Sequence, residues 1–230
     1  MAAEAAPICH LYQDAFTLAA AGTHLICTDE KSGMQALEHK YPLKPMRPGL
    51  IDRIEFEYLR HGTQCLIANF EVATGQVIAP TIGDTRTEAD FVAHIAQTIA
   101  TDPDAPWIVI VDRLDIHMSA SLVAWVAATL DDPQHLGKKE HHGILHSTQT
   151  RRTYLADAGH RIRFVYLPKH ASWLNQVEIW FSILVRRLLK RASFASIDEL
   201  RDRVLRFIEY FNTTLAKPFR WTYTGKVLAA

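Results

Sequence analysis

Short apolar runs separated by turn residues predict the strands of this chain. The run Trp107–Val111 is apolar at every position, which is typical of a central strand covered on both faces. Residues 24–30 begin with the same pattern, whereas residues 161–167 alternate basic and apolar positions, as edge strands or strands with one solvent-exposed face do. Turns at His61-Gly62 and Thr74-Gly75 predict an antiparallel meander over residues 54–59, 64–72 and 77–82.

Apolar positions spaced by three and four residues predict the helices between these strands. Helices are expected over residues 11–21 and 121–130, and after the N-terminal caps Thr87, Ser172 and Ser196. The sequence Ser196-Ile-Asp-Glu199 is a capping box, in which Ser196 and Glu199 are the capping residues. The helix after Ser172 carries an apolar stripe along Leu174, Val177, Phe181, Leu184 and Leu188. Glu178 is expected in its second turn, on the flank of that stripe and shielded from solvent.

This alternation predicts an α/β fold in which a mixed sheet, an antiparallel meander plus parallel strands, has helices on both faces. The chain has 230 residues and is 48% hydrophobic, which is enough for one large domain. We assign residues 1–22 to a helical lead-in, 23–215 to the main domain and 216–230 to a basic aromatic tail. The tail either touches nucleic acid or docks its aromatic rings on the domain. Residues 131–160 are predicted to be polar and irregular.

Composition excludes several classes of protein. No apolar run reaches the ~18–20 residues of a membrane span, so no membrane partner is expected. Cys9, Cys27 and Cys65 are widely spaced in apolar contexts, which indicates core thiols in a reducing cytoplasm. Residues 1–137 hold 8 Lys/Arg against 18 Asp/Glu, and residues 138–230 hold 17 against 7. The basic half indicates a polyanionic partner, unless the two halves simply neutralise each other in the fold.

Three acids stand out from this pattern. Asp29 and Asp112 each follow an apolar strand, and Glu178 lies on a later helix. A turn or a cap explains any one of them alone, but separations of 83 and 66 positions mean that they can meet only in the fold. Clustered carboxylates need cations, and oxygen ligands favour Mg²⁺ or Mn²⁺. Two such ions about 3.5–4 Å apart activate a water or a 3′-hydroxyl in phosphodiester transfer.

Four segments carry a resemblance to a known family. The chain resembles the DDE transposase catalytic domain of ribonuclease H-like fold, in the mariner-related branch of bacterial insertion sequences (insertion-sequence family six-thirty). The resemblance runs from about residue 8 to the C-terminus. The segments are Thr28-Asp-Glu-Lys-Ser-Gly-Met-Gln-Ala-Leu37, Glu57-Tyr-Leu-Arg-His-Gly-Thr63, Val111-Asp-Arg-Leu-Asp-Ile-His117 and Pro168-Lys-His-Ala-Ser-Trp-Leu-Asn-Gln-Val-Glu-Ile-Trp-Phe181.

The resemblance implies that Asp29, Asp112 and Glu178 bind two divalent ions and catalyse cleavage and transfer of DNA strands. The expected partners are then transposon ends and a target DNA duplex, and a homodimer is one possible assembly. No small-molecule cofactor is expected. The expected location is cytoplasmic and nucleoid-associated. It also implies that residues 131–160 are an insertion. Phosphate or DNA contacts are expected from Lys169, His170, Asn175, Arg186, Arg187, Lys190 and Arg191, with Asn175 alternatively orienting the neighbouring carboxylate.

Several side chains near these acids have open roles. Glu30 is expected to be a supporting or structural acid, and His117 a helix-entry residue or a phosphate contact. Trp173 and Trp180 are expected to pack in the core rather than to stack on bases. The cluster at His135, His141, His142 and His146 indicates a solvated or phosphate-facing loop in preference to a zinc site, because no cysteine or ligand scaffold accompanies it.

Two departures from the family pattern bear on activity. Asp115 stands where relatives usually carry Asn, and it adds negative charge beside the expected metals. The chain also starts just before the catalytic domain, without the helix-turn-helix region that reads transposon ends. Two alternatives therefore remain open: a ribonuclease H-like nuclease or resolvase without strand transfer, and an inactive truncated or domesticated remnant that only binds DNA.

Overall fold

The computed structural model describes residues 2–41, 47–49 and 57–224. Its centre is a five-stranded sheet in the order β3-β2-β1-β4-β5. The strands are β1 (His24–His39), β2 (Tyr58–Glu71), β3 (Val77–Gly83), β4 (Trp107–Val111) and β5 (Ile162–Tyr166). The pairs β1–β2 and β2–β3 are antiparallel, whereas β1–β4 and β4–β5 are parallel, so the predicted mixed sheet with β5 at one edge is confirmed.

Two strand predictions were wrong. β1 does not end at Glu30 but continues to His39, pairing with the first half of β2 after an irregularity between Lys31 and Met34. The predicted turn at His61-Gly62 is absent, because β2 runs through both residues. Gly62 has another purpose: its φ of +135° is one that residues with a Cβ rarely adopt, and it lies where the strand meets the side chain of Ile197. Residues 54–56 of the predicted strand over residues 54–59 lie outside the described residues.

Seven α-helices are described. They are α1 (Ala2–Gln13), α2 (Ala15–Ala20), α3 (Glu88–Ile99), α4 (Ala120–Thr129), α5 (Thr148–Leu155), α6 (Gln176–Leu184) and α7 (Ile197–Thr214). The predicted cap Thr87 is confirmed, since its side chain accepts from the N–H of Asp90 and the Asp90 carboxylate accepts in return. No described helix is long and apolar enough to cross a membrane.

Three helix predictions need correction. The segment 131–160 is not irregular throughout, because it contains α5. Ser172 does not cap α6: a 3-10 turn over Ser172–Leu174 comes first, and Asn175 is the N-cap. Glu199 accepts from the N–H of Ala195 at 2.7 Å, so only the Ser196 half of the predicted capping box forms.

Side chains that alternate along the strands build two cores, one on each face of the sheet. In β4, Ile108 and Ile110 face one layer, which contains α1, α2, α6 and α7. Trp107, Val109 and Val111 face the other layer, which contains α3, α4 and α5. The three cysteines are buried, as predicted for core thiols. β4 is covered on both faces, and so is β1 from Leu25 to Asp29, whereas Ser32 and Gln35 in the second half of β1 are exposed.

The tail docks on the first of these layers, which favours the docking alternative. Phe219 stacks on Phe70 with ring centroids 4.6 Å apart, and the Trp221 ring meets Tyr12 edge-on at 4.9 Å. Gly75, with φ +73°, lies against the tail: a Cβ there would be 2.1 Å from the backbone of Lys217. The tail is therefore part of the packed domain up to the last described residue.

Candidate active site

The register of β1 and β4 brings the first two predicted acids side by side. Cys27 is the partner of Ile110 in this parallel pair, and two further residues along each strand lead to Asp29 and Asp112. Parallel strands place their carboxyl ends at the same edge of a sheet, where α/β folds bind ligands. Asp29 is only 8% exposed, whereas the Asp112 side chain, just beyond β4, is 38% exposed.

Asp29 is held tightly in an environment that disfavours its charge. Its Oδ1 accepts from the Glu30 N–H at 2.8 Å, and its Oδ2 accepts from Nδ2 of Asn175 at 3.2 Å. Burial raises the pKa of Asp29 to about 7, and the negative charges of Asp112, Glu30 and Glu178 add to this rise. A cation bound beside these carboxylates would relieve both effects.

His117 links Asp112 to Glu30. Its Nδ1 lies 2.8 Å from Oδ1 of Asp112, and its Nε2 lies 2.9 Å from Oε1 of Glu30. Burial by itself lowers the pKa of His117, but the bonds to the two carboxylates outweigh it and raise the pKa to about 9. Burial likewise raises the pKa of Asp112, yet the bonds from His117 and from the Leu114 N–H leave that pKa below its ordinary value. An imidazolium therefore bridges two carboxylates.

This bridge decides between the roles that the sequence left open. The His117 side chain is fully buried and both ring nitrogens are engaged, so the phosphate-contact alternative is wrong. His117 lies in the 3-10 turn Asp115–Met118 ahead of α4, and Glu30 is only 2% exposed, as expected for a supporting acid. Asp115 is exposed at the start of this turn. The sequence offered one signal for the bridge, a histidine five positions after Asp112.

Glu178 lies in the first turn of α6 and is exposed, so the expectation of a shielded second-turn residue was wrong. Its N–H bonds to the Asn175 carbonyl at 3.1 Å. Asn175 is fully buried and donates to the Thr28 carbonyl at 3.1 Å as well as to Asp29. Burial rules out the DNA contact and supports the orienting alternative, although the oriented carboxylate is Asp29. Asn175 thereby fastens the start of α6 to β1.

The structure brings Asp29 and Asp112 together and puts Glu178 close enough for its charge to act on Asp29. It does not form a finished metal centre: within the described residues, no three His, Cys, Asp or Glu side chains are grouped to hold an ion. The residues nevertheless fit a hard divalent cation, since they are carboxylates that repel one another. The amide Oδ1 of Asn175 is also buried there without a hydrogen-bond partner.

The predicted DNA contacts lie in two places. Lys169 and His170 are exposed in the loop between β5 and α6. The other group is exposed on and just after a π-helical turn, Val185–Leu189, that follows α6; it comprises Arg186, Arg187, Lys190 and Arg191. At 1.5 Å per residue, this group begins about 12 Å along the helix from Glu178. All of these stay predictions.

Two residues near the acids differ from expectation. Arg86 was not anticipated; it is exposed before α3, and its charge contributes to the lowered pKa of Asp112. Its polar loop gives no sequence signal that it would meet a residue 26 positions later. Trp180 is buried, as predicted, but Trp173 is 51% exposed, and its ring meets Tyr223 edge-on with centroids 5.2 Å apart.

Solved structures that match this chain include two complexes of Mos1. The pre-cleavage Mos1 transpososome matches with a TM-score of 0.51 at 8% identity, covering 91% of this chain and 56% of that chain. The Mos1 strand transfer complex matches with a TM-score of 0.49 at 12% identity, covering 91% and 55%. The chain thus spans little more than half of the solved chains that it matches. The first likeness confirms the ribonuclease H-like fold.

Family membership comes from the sequence. No curated protein matches this chain. A family model described as DDE superfamily endonuclease matches residues 24–201, from the first residue of β1 into α7. Since that match covers well over half of the chain and includes all three acids, the protein belongs to the DDE superfamily endonucleases.

Proposed function

We propose that this chain is the catalytic domain of a DNA transposase, in which Asp29, Asp112 and Glu178 hold two Mg²⁺ or Mn²⁺ ions for strand cleavage and strand transfer. One observation carries the proposal: the parallel register of β1 and β4 aligns Asp29 with Asp112 at the carboxyl edge of the sheet. The Asn175 bond to Asp29 attaches the helix of Glu178 to the same edge.

Each residue has a distinct task in this proposal. Divalent ions held by these three acids would supply the activation of a water or a 3′-hydroxyl and the stabilisation of the leaving oxygen. Asp29 gives up a proton for that purpose, because its pKa in the free protein is about 7. Asp112 is already ionised and oriented by His117. Glu178 is exposed on the first turn of α6, where its side chain has room to adjust.

DNA is the proposed substrate for two reasons. Residues 138–230 carry ten more Lys/Arg than Asp/Glu, and phosphate backbones bind such surfaces. The fold is similar to that of the pre-cleavage Mos1 transpososome, and the family is one of endonucleases. A chain acting on DNA would be located with the nucleoid.

The test is cleavage of supercoiled plasmid with Mg²⁺, Mn²⁺ or EDTA. We expect nicking by the wild type with either metal, and a loss of at least about a hundredfold in Asp112→Ala, which lacks a ligand. Asp104→Asn is the matched control, since Asp104 is an exposed acid just before the opposite end of β4. Equal nicking by Asp112→Ala would refute the assigned site.

A second assay separates the alternatives. Joining of a labelled 3′-hydroxyl end to a target duplex identifies a transposase, whereas cleavage without joining identifies a nuclease or a resolvase. If the wild type neither binds Mn²⁺ nor cleaves any DNA, the proposal is wrong and an inactive DNA-binding remnant is the better description.

A further inference from the structure

The 3-10 turn Asp115–Met118 connects the candidate active site to the segment 131–160, whose role the sequence left open. We propose that this segment positions Asp112, with Arg151 on α5 as the positioning residue. The inference rests on the proposed function, because it assigns Arg151 a task toward a metal ligand. The route has two steps: Arg151 holds the turn, and His117 of the turn holds Asp112.

Arg151 is an unusual residue for a polar segment, since it is only 9% exposed. Its Nε donates to the Met118 carbonyl at 2.7 Å, and its Nη1 donates to the Leu145 carbonyl at 3.0 Å. Its Nη2 donates to Oγ1 of Thr148 at 3.2 Å. A buried guanidinium is costly unless its donors are satisfied, and here the partners are carbonyl and hydroxyl oxygens. The side chain therefore fastens two backbone segments together.

The turn is held from a second direction by β5. The hydroxyl of Tyr166 donates to the His117 carbonyl at 2.8 Å. The carbonyls of His117 and Met118, two consecutive residues, thus each accept a hydrogen bond from a side chain outside the turn. This fixes the backbone from which the His117 ring extends.

The His117 ring in turn holds the side chain of Asp112 in place. It lies between Glu30 and Asp112 with both nitrogens within 3 Å of a carboxylate oxygen. Asp112 stands just past the end of β4 and is partly exposed, so the sheet alone does not fix its side chain. Groups that orient a metal ligand through a hydrogen bond typically change metal affinity or activity by about 10–100-fold when they are removed.

The experiment compares Arg151→Gln with Lys139→Gln. Lys139 is exposed in the same segment, so the control removes the same charge without touching the turn. We expect Arg151→Gln to bind Mn²⁺ about 10-fold more weakly and to lower kcat for nicking with little change in KM for DNA. Arg151→Lys, which keeps the charge but not the three-way contact, should restore only part of the affinity. Affinity and kcat equal to those of Lys139→Gln would overturn the proposal.

A readout that needs neither metal nor activity is amide hydrogen exchange of residues 112–118 in EDTA. Faster exchange is expected in Arg151→Gln than in Lys139→Gln, and equal exchange would overturn the positioning role. Should Arg151→Gln not fold, Tyr166→Phe removes a single hydroxyl at nearly constant volume and should accelerate the same exchange. A wild type without Mn²⁺ binding refutes the proposed function instead, while the exchange data still decide whether Arg151 holds the turn.

Discussion

Replacement of Asp29 by Asn is expected to stabilise the metal-free protein at alkaline pH and to abolish its metal binding. Asp29 is buried at the end of the sheet, and the charges of Asp112, Glu30 and Glu178 surround it. The amide has nearly the shape of the carboxylate and can still accept from the Glu30 N–H, although its NH₂ group replaces the oxygen that accepts from Nδ2 of Asn175. The substitution therefore removes an unfavourable charge while the packing is preserved.

The magnitude follows from the pKa of Asp29, which burial and the neighbouring charges raise from 3.8 to about 7. Below pH 3.8 both the folded and the unfolded chains hold this proton, and its contribution to stability is fully present. Between pH 3.8 and about pH 7 only the folded chain holds the Asp29 proton. The free energy of unfolding therefore falls by about 1.4 kcal/mol per pH unit as the pH rises, and this fall ends above about pH 7. The total is about 4 kcal/mol, which Asp29→Asn recovers at pH 8.

The assay is urea unfolding in EDTA at pH 5, 6, 7 and 8. The difference between Asp29→Asn and the wild type should grow with pH, while the exposed control Asp104→Asn should show no such trend. Adding Mn²⁺ at about 100 times its Kd should then stabilise the wild type by about 2.7 kcal/mol and leave Asp29→Asn unchanged. A difference that stays constant from pH 5 to 8, or a variant less stable than the wild type at pH 8, would refute the reasoning.

Three further predictions concern other parts of the molecule. Burial, followed by the charge of His117, lowers the pKa of His94 to about 3. The free energy of unfolding should therefore fall as the pH drops from about 6.5 toward 3, and His94→Gln should flatten this part of its pH dependence, measured by urea unfolding. Trp180→Ala should lower the free energy of unfolding by about 3–5 kcal/mol in urea titrations, against less than about 1 kcal/mol for the exposed Trp173→Ala. Asp115→Asn should change Mn²⁺ affinity, measured by calorimetry, by less than about fivefold, because water screens this exposed charge; a larger change would mean that Asp115 contacts the metal.

The local sequence pattern was sufficient to predict a helix or a strand wherever burial is uniform along that element. β4 was predicted at its observed bounds because every residue from Trp107 to Val111 faces a covered layer. The start of α3 was predicted because the side chain of Thr87 and the residue three positions later satisfy each other locally. These elements depend on neighbours in sequence, and their signals lie within a few residues.

Predictions failed where a distant element changes the meaning of a residue. Gly62 indicated a turn, but it is needed for a φ of +135° within β2, where Ile197 of α7 packs against the strand. The polar sequence of α5 concealed a helix, since Arg151 is buried among backbone carbonyls rather than among apolar side chains. Glu178 was expected to be shielded by the apolar stripe, but it is exposed in the first turn of α6 while its neighbours Gln176 and Val177 are buried.

For the candidate site, the sequence by itself predicted the three acids, their location on two strands' apolar segments and a helix, and a donor set suited to divalent ions. Only the tertiary structure decided how these acids are held. The bridge from Glu30 through His117 to Asp112 and the bond from Asn175 to Asp29 join residues as far as 146 positions apart. Such contacts depend on the register of β1 against β4 and on the docking of α6, which are fixed by packing across the whole sheet rather than by any local pattern.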